Sequence, residues 1–189
     1  MALRHAILAT LLEGEASGYD LAKGFDGSVA SFWAATPQQL YRELDRMQSD
    51  GLVAARLVEQ TGRPNKRMFS LTDQGRSELA DYTTRTPRPV VIRDELLVAV
   101  QSMDVGDLAS VAQSVSARAE MAQARLAGYQ RLRERMLRGR SEAEYVAAAD
   151  RVGPYLTLTR GISFEEENLR WCSFALTVIS ARAAVHGTC

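Results

Sequence analysis

The sequence predicts a mainly α-helical protein with a small β-wing. Two observations support this fold class. The first part contains three amphipathic helices, a strand, a turn, a second strand and a further helix, which is the order of a winged helix-turn-helix. In the second part, apolar residues recur at alternating spacings of four and three, which indicates a C-terminal antiparallel helical domain.

The two parts are separated at "RTPRPVV", residues 85–91. Pro87 and Pro89 disfavour a continuous helix there. We therefore predict a winged helix-turn-helix domain at 1–84, a linker at 85–91 and a helical domain at 92–189.

Composition and charge restrict the classes of function. The chain of 189 residues is 46% hydrophobic and 24% charged, which is typical of a folded protein. Its net charge is zero, so binding to a polyanion would need a local basic patch. Cys172 and Cys189 are far apart, and the stretch "MALRHAILATLL" lacks a small-residue cleavage site. No apolar run approaches the roughly 18 residues that cross a bilayer. We therefore expect a cytoplasmic protein without a disulfide framework and without a membrane partner.

Two helices are predicted at the start of the chain. In "LRHAILATLLEG" the apolar residues form one stripe, and Gly14 is a candidate stop. "SGYDLAKGF" begins a second helix, for which Ser17 or Asp20 supplies the cap. The apolar stripe consists of Leu3, Ile7, Leu8, Leu11 and Leu12.

The stretch "TPQQLYRELDRMQSDGL", residues 36–52, predicts a third helix with clear ends. Thr36 is the expected N-cap, with Pro37 in the first helical position and Gln39 completing a Thr-x-x-Gln capping box. Gly51 can take the left-handed conformation that ends the helix. Its core-facing residues are expected to be Leu40, Leu44 and Met47.

The next segment predicts a β-hairpin. "LVAARLVEQ" and "RMFSL" have the composition of strands, and "TGRPNK" between them contains Gly, Pro and Asn, which favour bends. Thr72 then caps a helix in "DQGRSELADY".

The polar side of the third helix predicts contact with DNA. In a helix-turn-helix, the second helix of the motif enters the major groove, led by its N-terminal residues. The amides of Gln38 and Gln39 can both donate to and accept from base edges. Tyr41 and Arg42 can reach phosphates or bases, and the N–H groups after Thr36 favour a phosphate. A merely solvated face is the alternative, in which Tyr41 packs against the wing.

Cations at the turn strengthen this interpretation. Arg63, Lys66 and Arg67 lie within five residues, and no acid occurs between positions 60 and 72. A basic hairpin alone is weak support, but together with the helix it indicates a DNA-binding unit.

Three segments resemble the PadR family of bacterial transcriptional regulators: "AILATLLEGEASGYDLAKGF", "LYRELDRMQSDGLV" and "GRPNKRMFSLTDQGRSEL". The family has Gly-Tyr-(Asp/Glu)-Leu in its second helix, here residues 18–21. Its wing has Arg/Lys before an aromatic and then Leu-Thr-x-x-Gly, here residues 66–75, with Phe69 where Tyr is common.

The resemblance implies roles for particular residues. It implies DNA contacts by Tyr41 and the wing cations, and an architectural role for Gly18 and Tyr19, with a contact to backbone phosphate as a further role open to Tyr19. The full set of predicted DNA-binding residues is Thr36, Gln38, Gln39, Tyr41, Arg42, Arg63, Lys66, Arg67 and Tyr19.

The stretch 104–138 predicts a long helix that Asp104 caps. Its apolar residues form a heptad seam, which indicates a contact with a partner chain. Packing within one subunit is the alternative. The seam consists of Leu108, Ala112, Val115, Ala119, Ala122, Leu126 and Tyr129.

A last helix is predicted to start at the capping box Ser163-x-x-Glu166. It has two apolar stripes, so it must be covered on two sides. One stripe is Leu169, Cys172, Leu176, Ile179 and Ala183, and the other is Trp171, Ala175 and Val178. The second half resembles the C-terminal domain of longer PadR and AphA-like regulators, which implies dimerisation and adds Trp171, Leu176 and Ile179 to the predicted dimer contacts.

These observations predict a homodimeric regulator, most simply a repressor, that binds an inverted-repeat operator in double-stranded DNA. Some PadR relatives respond to small aromatic compounds, which implies an unidentified aromatic effector, although aromatics at helical spacing more often belong to a core.

The alternative function is a winged-helix module that binds protein and not DNA, and a gel shift with salt titration would separate the two. The sequence has no catalytic set, metal-ligand cluster or cofactor motif, and Cys172 lies on an apolar stripe, so we do not expect an enzyme.

Overall fold

The computed structural model describes residues 2–25, 33, 35–59 and 65–186. The chain divides into two compact units, Met1–Arg88 and Pro89–Cys189. The helices of the described residues are α1 Ala2–Leu11, α2 Gly18–Phe25, α3 Pro37–Ser49, α4 Asp73–Thr83, α5 Glu95–Gln101, a 3-10 turn Met103–Val105, α6 Leu108–Leu137, α7 Glu142–Ala148 and α8 Gly153–His186. The strands are β1 Ala16–Ser17, β2 Val53–Val58 and β3 Lys66–Leu71.

The N-terminal unit contains a three-stranded antiparallel sheet in the order β1-β3-β2. The predicted hairpin strands pair with Val53 opposite Leu71 and Val58 opposite Lys66. β1 was not predicted from the sequence. Its two residues are too few to show an alternating pattern, and only its pairing partner, Phe69 opposite Ala16, defines it as a strand.

The core of this unit holds α3 in place. Leu40, Leu44 and Met47 are fully buried, as their spacing predicted. Gly51 has φ +72°, the left-handed conformation expected at the end of α3. These side chains pack in one cluster with Ala6, Ile7, Leu8, Leu11, Leu21, Leu52, Val53 and Phe69.

The start of α4 is locked against the end of α3. The Thr72 hydroxyl lies 2.7 Å from the carbonyl oxygen of Gly51 and 2.9 Å from that of Leu52, and it accepts a hydrogen bond from the N–H of Gly75. A Cβ at Gly75 would stand 2.2 Å from the carbonyl oxygen of Leu52. The Leu-Thr-x-x-Gly motif therefore allows a close contact between the backbones at Gly75 and Leu52. Glycine is required at position 75 because no side chain fits there.

In the C-terminal unit, α6 and α8 run antiparallel along their length. Early residues of α6 meet late residues of α8: Val115 and Ile179 belong to one buried cluster, Arg125 reaches Glu165, and Arg133 reaches Tyr155. The fold class predicted from the sequence, a winged helix-turn-helix followed by an antiparallel helical domain, is confirmed.

The predicted heptad seam of α6 packs against α8 of the same chain. Val115, Ala122, Leu126 and Tyr129 are buried there. Leu108, Ala112, Ala119, Trp171 and Leu176 are half-buried against the same cluster, whose buried members include Cys172, Ala175 and Ile179. For the buried seam residues, the structure therefore agrees with the alternative prediction, in which the seam packs within one subunit. The heptad pattern could not reveal this because a seam has the same spacing whether its partner helix is in the same chain or another.

Two predicted helix caps are wrong. Asp104 lies in the 3-10 turn, and Asp107 caps α6 by accepting from the backbone N–H groups of Ala109 and Ser110. Ser163 lies inside α8, which begins ten residues earlier at Gly153. A capping box that was not predicted from the sequence occurs at Ser141-x-x-Glu144, at the start of α7.

A bidentate ion pair joins α6 to the start of α5. Arg118 donates to both carboxylate oxygens of Asp94 at 2.8 and 2.9 Å, and Asp94 also accepts from the N–H of Leu96 as the cap of α5. The hydrogen bond from the Arg118 guanidinium lowers the pKa of Asp94 below its ordinary value. The folded state therefore favours the ionised carboxylate.

Gly75→Ala should destabilise the N-terminal unit by about 1–3 kcal/mol, because the added Cβ overlaps the Leu52 carbonyl. Chemical denaturation of the full chain measures this change. Gly128→Ala is the control, because a Cβ at this α6 position meets nothing closer than 4.0 Å. The control should be neutral or stabilising, and an equal loss in both variants would contradict the steric explanation.

Asp94→Asn should lower stability by about 1 kcal/mol at pH 7, because it removes the ionic pair while an amide oxygen can still cap α5. Since the folded-state pKa of Asp94 is depressed, its contribution is present above the unfolded pKa of about 4 and is lost as the pH falls through the folded-state value. The difference between wild type and variant should therefore disappear in acid. Denaturation at a series of pH values measures it, with the exposed Asp150→Asn as the control.

Candidate nucleic-acid interface

Contacts on the inner side of α3 fix its orientation and leave its outer face exposed. Besides the three buried apolar residues, Arg4 of α1 donates to Glu43 at 3.0 Å and to Asp50 at 2.7 Å. These contacts hold both the middle and the end of α3 against α1. The exposed side then carries Gln38, Tyr41, Arg42, Asp45 and Gln48.

The first turn of α3 separates the two glutamines. Gln39 forms the predicted capping box: its side-chain oxygen accepts from the N–H of Thr36 at 2.9 Å, and its N–H donates to the Thr36 hydroxyl at 3.2 Å. Gln38 is exposed and has no side-chain hydrogen bond within the described residues. Gln38 is therefore free to meet a ligand, whereas the oxygen of Gln39 is already used and Thr36 serves the cap.

Tyr41 packs on the start of α2. Its ring lies against Gly18, where a Cβ would stand 2.3 Å from the Tyr41 Cε1 atom. Tyr41 is still 44% exposed, so part of its side chain faces outward. The predicted architectural role of Gly18 thus has a physical reason: a side chain at this position would collide with the Tyr41 ring. The alternative prediction, that Tyr41 packs against the wing, differs from the structure, in which the ring contacts α2. Tyr19, the next residue of α2, is 65% exposed.

The described wing cations are paired with acids on the two helices of the motif. Lys66 lies 2.8 Å from Asp20 of α2, and Arg67 lies 2.8 Å from Asp45 of α3. Arg67 also donates to the side-chain oxygen of Gln48 at 2.6 Å. Arg63, the third predicted wing contact, lies outside the described residues.

The pairing of Asp20 affects its ionisation. Hydrogen bonds from Lys66 and from the Ser17 hydroxyl lower the pKa of Asp20. Ser17 and Asp20 also cap α2 reciprocally, because the Asp20 N–H donates to the Ser17 hydroxyl. Asp20 therefore has a structural role in α2 in addition to its contact with the wing.

The sequence interpretation missed Asp20 as a member of this surface, and it missed the pairing of Asp45 with Arg67. Lys66 and Arg67 were predicted as members of a basic hairpin, because no acid occurs between positions 60 and 72. The contact of α2 with β3 brings Asp20 to Lys66, and the pairing of β3 with β2, which contacts α3, brings Asp45 to Arg67. No local sequence signal identifies such partners.

Other chemistry is limited in the described residues. His5 is buried, lies 2.8 Å from Glu78 and stacks on Tyr82 with ring centroids 3.9 Å apart. Cys172 is buried, and desolvation raises the pKa of its thiol. Across the part of the chain that the structure describes, no group of three or more His, Cys, Asp or Glu side chains could hold a metal ion. Within the same residues, no helix combines the length and apolar character needed to cross a membrane.

The chain matches two families in succession. The Transcriptional regulator PadR-like family matches residues 7–81, and the family Virulence activator alpha C-term matches residues 92–180. A probable transcriptional regulator of Mycobacterium tuberculosis is 37% identical over 182 residues, covering 90% of this chain and 94% of that protein. The negative transcriptional regulator PadR of Bacillus subtilis is 28% identical over 178 residues, covering 94% and 97%.

Solved structures of relatives share the fold. Bacillus subtilis PadR in complex with operator DNA has a TM-score of 0.74 at 28% identity, covering 95% of this chain and 99% of that one. The same protein in complex with p-coumaric acid has a TM-score of 0.67 at 27% identity, covering 94% and 95%. The Vibrio cholerae virulence activator AphA has a TM-score of 0.69 at 27% identity, covering 96% and 99%.

Gly18→Ala should lower the stability of the N-terminal unit by about 1–2 kcal/mol, because its Cβ would displace the Tyr41 ring. The loss should vanish in a Tyr41→Ala background, since the obstructing ring is then absent. Chemical denaturation of the two single variants and the double variant measures the coupling. An equal loss in both backgrounds would mean that the constraint comes from the backbone and not from Tyr41.

Proposed function

Since this chain belongs to the PadR family of transcriptional regulators, we propose that it is a homodimeric repressor that binds an inverted-repeat operator in double-stranded DNA. Members of the family are regulators, and this chain is not an enzyme. The observation that carries the DNA-binding part is the outer face of α3: Gln38, Tyr41 and Arg42 are exposed, have no side-chain hydrogen bond or ion pair within the described residues, and stand on a helix whose inner side is fully buried.

The proposal assigns different tasks to these side chains. Gln38 stands in the first turn of α3, where side chains of a recognition helix meet base edges, so it is the proposed base reader. Arg42 is a cation and the partly exposed Tyr41 carries a hydroxyl, and both groups suit phosphate oxygens. The proposed further contacts are Tyr19, Thr36 through the helix N-terminus, Gln39 through its amide nitrogen, and Arg63, Lys66 and Arg67.

An apolar face of α8 supports the proposal of a homodimer. Leu156, Phe164, Phe174 and Val178 are 61%, 47%, 67% and 40% exposed. Their spacing of 8, 10 and 4 residues places them on one side of the helix, beside the half-buried Trp171 and away from the side that packs on α6. An apolar face of this size in one chain suits a second copy of the same chain. Residues 1–84 would then bind DNA, 85–91 would link, and 92–189 would dimerise.

Repression and effector release are proposed by analogy with one relative. Bacillus subtilis PadR is named a negative transcriptional regulator and has been solved with operator DNA and with p-coumaric acid. We extend both features to this chain: it would repress transcription in the cytoplasm, and a small aromatic effector, whose identity the chain's own residues do not specify, would release it.

Gln38→Ala should weaken binding to the operator by about 1–3 kcal/mol and leave binding to shuffled DNA nearly unchanged. Arg42→Ala is the matched comparison, because loss of one phosphate contact should weaken both DNAs and reduce the slope of log affinity against log salt by about one unit. Gel shifts over a salt series, on a duplex selected from genomic fragments by the wild-type protein, measure both effects. Wild-type protein that binds no duplex better than its shuffled version would overturn the proposed function.

Phe174→Asp should convert the dimer into a monomer at micromolar concentration, because a charge would be placed in the proposed apolar contact. Light scattering of the full chain measures the mass. Ser180→Asp is the control, since Ser180 is exposed on the same helix but lies outside the apolar face. A wild-type monomer, or equal dissociation of both variants, would contradict the proposed interface.

A further inference from the structure

An ion pair joins β3 of the wing to α3 on the surface that we propose contacts DNA. Asp45 lies on the outer side of α3, one turn after Tyr41 and Arg42, and its carboxylate is 2.8 Å from the Arg67 guanidinium. The Asp45 and Arg67 side chains are 62% and 45% exposed. Both members of the pair therefore face solvent and could be reached by a phosphate.

Stability does not explain this pair. Exposed ion pairs contribute little to folding, because water screens them and two side chains must be held in one geometry. The wing is already fixed without it: β3 pairs with β2 along six residue positions, and Phe69 of β3 is buried in the core. Arg67 also retains a hydrogen bond to Gln48. The Asp45 side chain has no other hydrogen bond or ion pair in the described residues, so its charge is not needed to build α3.

The charge of Asp45 has a clear consequence for DNA. A carboxylate on a reading helix is repelled by every phosphate, and among base edges it can only accept from an amino group such as that of cytosine. It also neutralises Arg67, so this cation does not attract phosphate at long range. Affinity for DNA of arbitrary sequence comes almost wholly from phosphate contacts, so neutralising one cation reduces that part of the affinity in particular.

We propose that Asp45 is a specificity-determining residue that suppresses binding to arbitrary DNA by holding Arg67 in an ion pair. This inference rests on the DNA-binding function proposed above. On shuffled DNA the pair stays closed and Arg67 contributes no phosphate contact. On the operator, the alignment of α3 brings a phosphate to Arg67 or an amino group to Asp45, and the pair opens in exchange for those contacts.

Asp45 is a sharper test than the second pair, Lys66 with Asp20. Asp20 caps α2 together with Ser17, so changing it would also disturb the helix. Asp45→Asn keeps the size and polarity of the side chain and removes only its charge. Asp81→Asn is the matched control: Asp81 is an exposed acid on α4, which packs on α1, and its carboxylate has no partner in the described residues.

The experiment measures the affinity of the full chain for two duplexes of roughly 30 base pairs, long enough for two half-sites one helical turn apart. One is selected by the wild-type protein from a random library, and the other is its shuffled version. The variants are Asp45→Asn, Asp81→Asn, Arg67→Ala and the double variant Asp45→Asn/Arg67→Ala. Thermal unfolding of each variant verifies that it is folded.

Asp45→Asn should bind shuffled DNA about fivefold to tenfold more tightly at roughly 0.1 M salt, with the slope of log affinity against log salt steeper by about one unit. Its affinity for the selected duplex should rise less or fall, so the ratio between the two duplexes decreases. In the Arg67→Ala background the gain on shuffled DNA should vanish, because the cation that it releases is absent.

Three results would overturn the inference: unchanged binding of Asp45→Asn to shuffled DNA, the same gain with and without Arg67, or an equal gain in Asp81→Asn, which would mean that net charge alone is responsible. These outcomes are distinct from failure of the proposed function. If the wild-type protein selected no preferred duplex, the regulator itself would be in question before any variant was compared.

Discussion

The geometry of the N-terminal unit depends on the burial of Leu40, Leu44 and Met47 beneath α3. These three side chains fix the rotation of the helix about its axis, because turning it would expose them to water and bury polar groups instead. Once the rotation is fixed, the outer residues have no choice of direction. The exposed positions of Gln38 and Arg42 are thus a consequence of packing on the opposite side of the same helix.

Close backbone contacts set the positions of the neighbouring elements. Gly75 lets α4 approach the end of α3, and Gly18 lets the Tyr41 ring lie on α2. In both cases a missing side chain allows one element to come nearer than an ordinary residue would permit. The glycines of the PadR-like motifs therefore act by shape: Gly18 permits the close approach of the Tyr41 ring to α2, and Gly75 permits the close approach of α4 to the Leu52 backbone.

The C-terminal unit follows a different principle, since long helices provide more apolar surface than one partner can cover. The seam of α6 is used by α8, with Val115 and Cys172 in its centre. Polar contacts fix the positions of α5 and α8 relative to α6. Examples are the ion pair of Arg118 with Asp94 and the hydrogen bond from Arg133 to the Tyr155 hydroxyl. A second apolar side of α8, which includes Phe174, is left outward and provides the surface for the proposed dimer.

The sequence by itself determined the elements whose causes are local. Neighbouring residues determine the capping box at Thr36, the inner stripe of α3 and the left-handed conformation of Gly51. The motifs of the sequence also indicated the family to which the chain belongs. Contacts between distant residues were decided by the tertiary structure: which helix covers the α6 seam, and which acids hold the wing cations. The predicted helix start at Ser163 was wrong because continuous packing of α8 on α6 outweighs a local capping pattern. Spacing along a chain specifies which face a residue occupies, but the identity of the group opposite that face depends on how the whole chain folds.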